Sequence, residues 1–129
     1  MEGPRAVQPE EWDALGELLD ATFIPGGGDT MFRQFPTLFR DENRENLLVF
    51  SEGGRVVSHV GMTLNTLCLA GCLVHAACVG AVATAGDCRG RGLAGALLEH
   101  AAARAREHGA LLMLISGGRG LYLRAGAAP

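Results

Sequence analysis

The segment VGAVATAGDCRGRGLAGALL, residues 79–98, constrains the fold of this chain more than any other. Small apolar residues lead into a loop that carries Arg89, Gly90, Arg91 and Gly92, and an amphipathic helical pattern follows directly. The first amides of a helix have no partner within the helix, and the helix dipole adds positive charge there. A glycine-rich, arginine-bearing loop between a strand and a helix start therefore predicts a site for a phosphate or pyrophosphate group.

Periodicity along the rest of the chain predicts an α/β (α+β) fold, with helices on both faces of a sheet. Helical patterns cover residues 9–23, 31–39, 91–108 and 121–126, and extended patterns cover residues 47–50, 56–69, 72–85 and 111–115. The charged run from Arg40 to Glu45 is interpreted as a solvated loop. The fully apolar run from Leu111 to Ile115 is typical of a buried central strand.

Composition bounds the class of protein. The chain has 129 residues, of which 48% are hydrophobic, and this fits one globular domain. The net charge of -3 argues against a nucleic-acid partner. No apolar run reaches the roughly 18 residues of a transmembrane helix, and the N-terminus lacks the apolar core of a signal peptide. We therefore expect a cytoplasmic protein with no membrane partner.

The four cysteines do not have the spacing of a metal site. Cys68, Cys72, Cys78 and Cys88 form neither a Cys-x-x-Cys pair nor an alternation with histidines. Three of them lie in apolar runs, where a small, polarizable side chain packs well. We therefore expect packing cysteines and no metal.

Three interpretations of the glycine pattern compete. The first is a structural turn between strand and helix, with two solvated arginines. The second is a dinucleotide site, because Gly90, Gly92 and Gly95 satisfy the fingerprint GxGxxG. That fingerprint opens a βαβ unit and has an acid about 20 residues further on, and the next apolar run carries none. A P-loop is excluded because the loop contains no Gly-Lys-Ser/Thr.

The third interpretation is a resemblance to the GNAT superfamily of N-acetyltransferases. Residues 89–94, RGRGLA, resemble its acyl-CoA pyrophosphate loop, Gln/Arg-x-x-Gly-x-Gly/Ala, and residues 82–88 resemble the fourth strand and turn that precede this loop. Residues 121–126, LYLRAG, resemble a second family stretch, Tyr-x-Lys/Arg-x-Gly-Phe, with Ala127 in place of the aromatic residue. A helix and an apolar strand pattern separate the two motifs, in the family's order.

The resemblance implies a GNAT-like mixed, mostly antiparallel central sheet flanked by helices, in a single domain over residues 1–129. The family's sheet continues into two further strands beyond the point where this sequence stops. We therefore expect a domain that is incomplete at its C-terminus. A second copy of the chain, or an additional domain, would then cover the apolar edge formed by residues 111–115.

The resemblance also implies acetyl-CoA as co-substrate and direct transfer of its acetyl group to a primary amine of a small-molecule or peptide acceptor. By similarity, the backbone of Val82, Ala83 and Thr84 would bind the pantetheine arm. The pyrophosphate is expected on the amides of Arg89, Gly90, Arg91, Gly92, Leu93 and Ala94.

Tyr122 is the candidate general acid for the departing CoA thiolate, and the alternative is a tyrosine that only packs in the core. The strand pattern 72–85 contains no carboxylate, so His75 is the candidate base, although a lone histidine on a strand is more often structural. Glu52 and His59 are weaker candidates. A CoA-binding module without activity is the main alternative function, and an NAD-binding protein is a further one.

Overall fold

The computed structural model describes residues 1–116 and 120–128, whose strands form one five-stranded sheet in the order β1-β2-β3-β4-β5. The strands are β1 (Glu2–Ala6), β2 (Leu47–Glu52), β3 (Arg55–Leu69), β4 (Cys72–Thr84) and β5 (Leu112–Ile115). The helices are α1 (Trp12–Phe23), α2 (Met31–Gln34), α3 (Leu93–Glu107) and α4 (Gly120–Arg124). Neighbouring strands are antiparallel except β4 and β5, which are parallel. The expected mixed, mostly antiparallel sheet flanked by helices is confirmed.

Two apolar clusters lie on opposite faces of this sheet. Consecutive residues of a strand point to opposite faces, and in β2 Leu48 belongs to one cluster whereas Val49 belongs to the other. The α1 helix packs Leu15 and Leu19 against the face of Val49, and α3 packs Leu97 against the face of Leu48. The helical spacing of apolar residues in the sequence thus determines which side of each helix the sheet covers.

Residues 111–115 form the apolar edge that the family resemblance implied, and not the buried central strand that their composition favoured. In the described sheet β5 is an end strand, and the side chains of Leu112 and Leu114 are 41% and 47% exposed. A short apolar run has the same composition whether one or two strands flank it, so the sequence alone does not distinguish these positions.

The charged run from Arg40 to Glu45 is not a solvated loop. Residues Asp41–Asn46 form a 3₁₀ helix in which Asn43 is buried. The Asn43 side-chain amide donates to the carbonyl oxygens of Leu38 at 2.9 Å and Met62 at 3.0 Å. Because both acceptors are backbone atoms, the pattern of residue types in the sequence does not reveal these hydrogen bonds of Asn43.

Two boundaries and one further strand also differ from the prediction. The predicted helix 31–39 ends at Gln34, because Pro36 disfavours helical backbone in the residue before it. The α3 helix begins at Leu93 instead of Arg91, because Gly92 takes a left-handed φ of 74°. The β1 strand was not predicted at all, since its residues EGPRA have no strand pattern. No helix among the described residues has the length and apolarity needed to cross a membrane.

Candidate functional site

The candidate site lies where β4 extends beyond its parallel neighbour β5. The two strands pair from Ala76 with Leu112 to Val79 with Ile115, whereas β4 continues to Thr84. The segment 80–84 therefore lies past the described pairing of β4 with β5. Extended ligands can bind along the backbone of a strand where its pairing with a neighbour ends.

A β-bulge lies at the start of that segment. His59 of β3 pairs with Ala83 of β4, and Gly61 of β3 pairs with Gly80 of β4. Three residue steps on β4 therefore lie opposite two steps on β3. Within the bulge, Ala81 has a φ of 54°, in the left-handed region that alanine rarely adopts. Bulges bend a strand and redirect the residues that follow. The bulge thus sets the direction of β4 as it passes β5.

The three residues predicted to bind a pantetheine arm follow the bulge directly. Val82 packs in the cluster on the α3 side, and Ala83 packs in the cluster on the α1 side. Thr84 is half-buried, and its hydroxyl lies 2.9 Å from the hydroxyl of Ser58 on β3. Packing on both faces therefore holds this stretch of backbone in place.

Two glycines of the loop between β4 and α3 have left-handed backbone. Gly90 and Gly92 have φ values of 79° and 74°, which favour glycine. A Cβ atom added at either position would meet no atom within 4 Å, so the space beside the loop is open. Gly92 immediately precedes α3 and has no side chain to cap the first amides of the helix. Those amides are thus suited to bind an anion.

A cavity of about 220 Å³ opens against this loop. Its lining includes Arg89, Gly90 and Gly92 of the loop, and Leu121 and Arg124 of α4. The structure therefore brings the two sequence motifs together on one cavity. Arg124 was not among the predicted binding residues, although it lies within the second motif.

Four guanidinium groups lie on or near the loop, and they differ in their partners. Arg91 is 3.5 Å from the carboxylate of Glu52, and Arg55 makes two hydrogen bonds to Asp87. The Arg55 guanidinium lowers the pKa of the Asp87 carboxyl below its usual range. Within the described residues, Arg89 and Arg124 have no carboxylate partner. These two side chains therefore carry uncompensated positive charge on the cavity.

Tyr122 is 6% exposed and lies on α4. Its ring packs in the apolar cluster that also contains Val82, Cys88 and Leu93. Its neighbours on α4, Leu121 and Arg124, line the cavity at the glycine loop, whereas the Tyr122 ring is packed in the core. Its role as general acid stays a prediction.

The structure does not bring His75 to this site. His75 is exposed near the start of β4, where its Nδ1 atom lies 3.2 Å from the Thr66 hydroxyl. Seven residues of extended strand separate it from Val82, which corresponds to about 23 Å. Since a general base must be within hydrogen-bonding reach of the proton it removes, this position does not suit the role.

The two weaker candidates for the base also have other contacts. Glu52 is exposed at the end of β2 and faces Arg91. His59 is completely buried, and this burial lowers the pKa of its imidazole to about 4. Among the described residues, no group of three or more His, Cys, Asp or Glu side chains is arranged to hold a metal ion.

A second cavity, of about 450 Å³, lies between α1 and the end of β4. Its lining includes Glu17 and Thr22 of α1, together with Thr84, Asp87 and Arg89. The two cavities share Thr84 and Arg89, so they meet at the end of β4. The sequence patterns of α1 did not indicate a contribution to the site.

The chain belongs to the GNAT acetyltransferase family, because the family profile described as "Acetyltransferase (GNAT) domain" matches residues 4–129. It is thus an N-acetyltransferase of the GNAT type, as the two motifs predicted. No curated protein sequence matches the chain.

Solved structures show the same fold. A GNAT family acetyltransferase from Brucella melitensis, in complex with acetyl-CoA, superposes with a TM-score of 0.75 at 23% identity, covering 95% of this chain and 79% of that one. Glucosamine-6-phosphate N-acetyltransferase from Arabidopsis thaliana superposes with a TM-score of 0.75 at 17% identity, covering 97% and 90%. Ribosomal-protein-alanine N-acetyltransferase from Brucella melitensis biovar Abortus 2308 has a TM-score of 0.73 at 22% identity, covering 95% and 90%.

Proposed function

We propose that the protein transfers the acetyl group of acetyl-CoA directly to a primary amine of a small-molecule or peptide acceptor. The observation that carries this proposal is the open glycine-arginine loop at the start of α3, which faces the cavity of about 220 Å³ together with Arg124. Amides at a helix start combined with uncompensated arginines suit a pyrophosphate group.

In this proposal the pyrophosphate binds the amides of residues 89–94, with Arg89 and Arg124 as charge partners. The pantetheine arm lies along residues 82–84, past the described pairing of β4 with β5. Two features support this arrangement: the bulge that turns β4 past β5, and the absence of side chains at Gly90 and Gly92. The thioester would then lie near the bulge, at the inner end of the cleft.

The proposed reaction forms a C–N bond and breaks a C–S bond. The neutral amine of the acceptor attacks the thioester carbonyl carbon, and the CoA thiolate leaves. We assign to Tyr122 the transfer of a proton to that thiolate, since its ring belongs to the same apolar cluster as Val82 and Leu93. The strand β4 carries no carboxylate that could act as base. In the proposed step the amine loses its proton to water in the cleft, and water returns a proton to the Tyr122 phenolate.

Calorimetric titration with acetyl-CoA tests the binding half of this proposal. We expect wild-type protein to bind acetyl-CoA, and desulfo-CoA to bind as well, which excludes acylation of a cysteine as the source of heat. The Arg89→Ala/Arg124→Ala variant should lose about tenfold or more in affinity, since it removes the two charge partners proposed for the pyrophosphate. The Arg40→Ala/Arg106→Ala variant changes net charge equally at exposed positions outside the loop and should bind like wild type.

Each alternative has a distinct outcome in the same experiments. Equal affinity of the two double variants would contradict the assignment of the loop. Acetyl-CoA binding without release of CoA across a panel of amines would indicate a binding module with no transferase activity. NAD binding in place of acetyl-CoA binding would refute the proposed function.

A further inference from the structure

His59 is a completely buried imidazole with one nitrogen that lacks a partner. Its Nδ1 atom lies 2.7 Å from the carbonyl oxygen of Ala81, and its Nε2 atom has no hydrogen-bond partner among the described residues. A carbonyl oxygen can only accept, so Nδ1 carries the ring proton and Nε2 is a bare acceptor. A buried acceptor without a donor destabilises a fold, and an apolar side chain of similar size would avoid that cost.

The carbonyl that His59 binds belongs to the bulge of β4. Ala81, with its φ of 54°, has the least favourable backbone conformation in the segment that leads to the cleft. A left-handed alanine persists only where its surroundings stabilise it. The short hydrogen bond from Nδ1 supplies such stabilisation from the neighbouring strand, at the residue where β4 changes direction.

The residues around the His59 imidazole leave room for its ring and contact it closely. A Cβ atom added to Gly61 would lie 2.9 Å from the Cε1 atom of His59 and 3.1 Å from the carbonyl oxygen of Gly80. On another side the ring of Phe39 lies with its centroid 6.0 Å from that of His59. The space left by the absent side chain of Gly61, together with the ring of Phe39, thus accommodates the imidazole beside the bulge. The low pKa of His59, about 4, keeps the ring neutral at physiological pH.

We propose that His59 is a positioning residue for acetyl transfer, whose Nδ1–H group holds the Ala81 carbonyl and so fixes the bulge that directs residues 82–84 along the cleft. This inference rests on the proposed function, because that direction matters only if the segment binds the pantetheine arm. His59 does not touch a substrate, since its side chain is completely buried. Its effect on the reaction passes through the backbone of Ala81.

The test compares two substitutions of His59 with a control on the surface of α3. His59→Leu keeps much of the volume and removes the donor, whereas the side-chain amide of His59→Asn places a donor near the position of Nδ1. His100→Leu removes an exposed imidazole from α3. For each variant we would measure acetyl-CoA affinity by calorimetry, and the backbone amide resonances of residues 81–83 by NMR without ligand.

We expect His59→Leu to fold, to shift the three amide resonances, and to bind acetyl-CoA about tenfold more weakly, the loss expected for one well-placed hydrogen bond. His59→Asn should restore affinity to near that of wild type, which a role in packing alone would not predict. His100→Leu should match wild type. Unchanged resonances and unchanged affinity in folded His59→Leu would overturn the proposal.

Two further measurements separate this inference from the proposed function. If wild-type protein does not bind acetyl-CoA, the proposed function fails, whereas the amide shifts without ligand still test the contact between His59 and the bulge. If His59→Leu does not fold, the ¹⁵N spectrum of the wild-type His59 ring shows which of its two nitrogens carries the proton. A protonated Nδ1 and an unprotonated Nε2 would support the proposal, and a protonated Nε2 would overturn it.

Discussion

Acidification is predicted to destabilise the protein through His59 before it affects the other strongly shifted groups. The pKa of His59 is lowered from 6.5 to about 4, mainly by burial, and the hydrogen bond to Ala81 opposes this only in part. Between these two values the unfolded chain binds a proton that the folded chain does not. The contribution of His59 to stability is therefore complete above pH 6.5 and is lost as the pH falls toward 4.

The magnitude follows from this shift. Linkage with pKa values of 6.5 unfolded and about 4 folded gives a loss of about 2.5 kcal/mol between pH 7.5 and 4.5. Glu11 is the other strongly shifted group that titrates below neutral pH, because hydrogen bonds from Arg5 lower the pKa of its carboxyl from 4.5 to about 2. The contribution of Glu11 to stability is present above pH 4.5 and is lost below it. The pH ranges in which His59 and Glu11 lose their contributions therefore hardly overlap.

Urea unfolding of wild type and His59→Asn, across the range from pH 7.5 to 4.5, measures this effect. The free energy of unfolding of wild type should fall by about 2.5 kcal/mol more than that of the variant, since every other titrating group is common to both. Comparing the two pH dependences removes any constant difference in stability. An identical pH dependence in both proteins would refute the reasoning, because His59 would then titrate alike in the folded and unfolded chains.

Three further outcomes are expected. Gly92→Ala should lower the free energy of unfolding by about 1 kcal/mol, because residue 92 has a φ of 74°, and it should also weaken acetyl-CoA binding. The control in urea unfolding and calorimetry is Gly86→Ala, at an open position without a positive φ. Leu97→Ala should cost about 2–5 kcal/mol in urea unfolding, since Leu97 is fully buried between α3 and the sheet; a loss below 1 kcal/mol would contradict that packing. Tyr122→Phe should keep the fold and the acetyl-CoA affinity while kcat falls about 100-fold, and an unchanged kcat would remove Tyr122 from the mechanism.

Local patterns in the sequence were sufficient for most helices and strands. Apolar residues at helical spacing predicted α1 and α3, and extended apolar runs with glycine turns predicted β2, β3 and β4. The glycine-arginine loop was predicted at its position between β4 and α3, but the left-handed Gly92 that starts the helix at Leu93 was not predicted. These features depend on neighbours within a few residues along the chain, so one sequence contains the information for them.

Other features depend on contacts between distant residues, and only the tertiary structure decided them. The strand β1 pairs with β2 across more than forty residues of chain, although its own sequence has no strand pattern. The bulge at Ala81 follows from the register between β3 and β4, and the donor that holds it is His59, 22 residues earlier. Arg124 joins the glycine loop on one cavity only because α4 packs beside it.

The sequence by itself therefore determined the family, the order of most elements and the position of the glycine-arginine loop. The tertiary structure decided that β1 pairs with β2, where β4 bends, and which of four histidines contacts the bulge. The physical reason is that periodicity and glycine conformation are properties of a short segment. Strand register and the burial of a polar group are properties of two segments that meet only after folding.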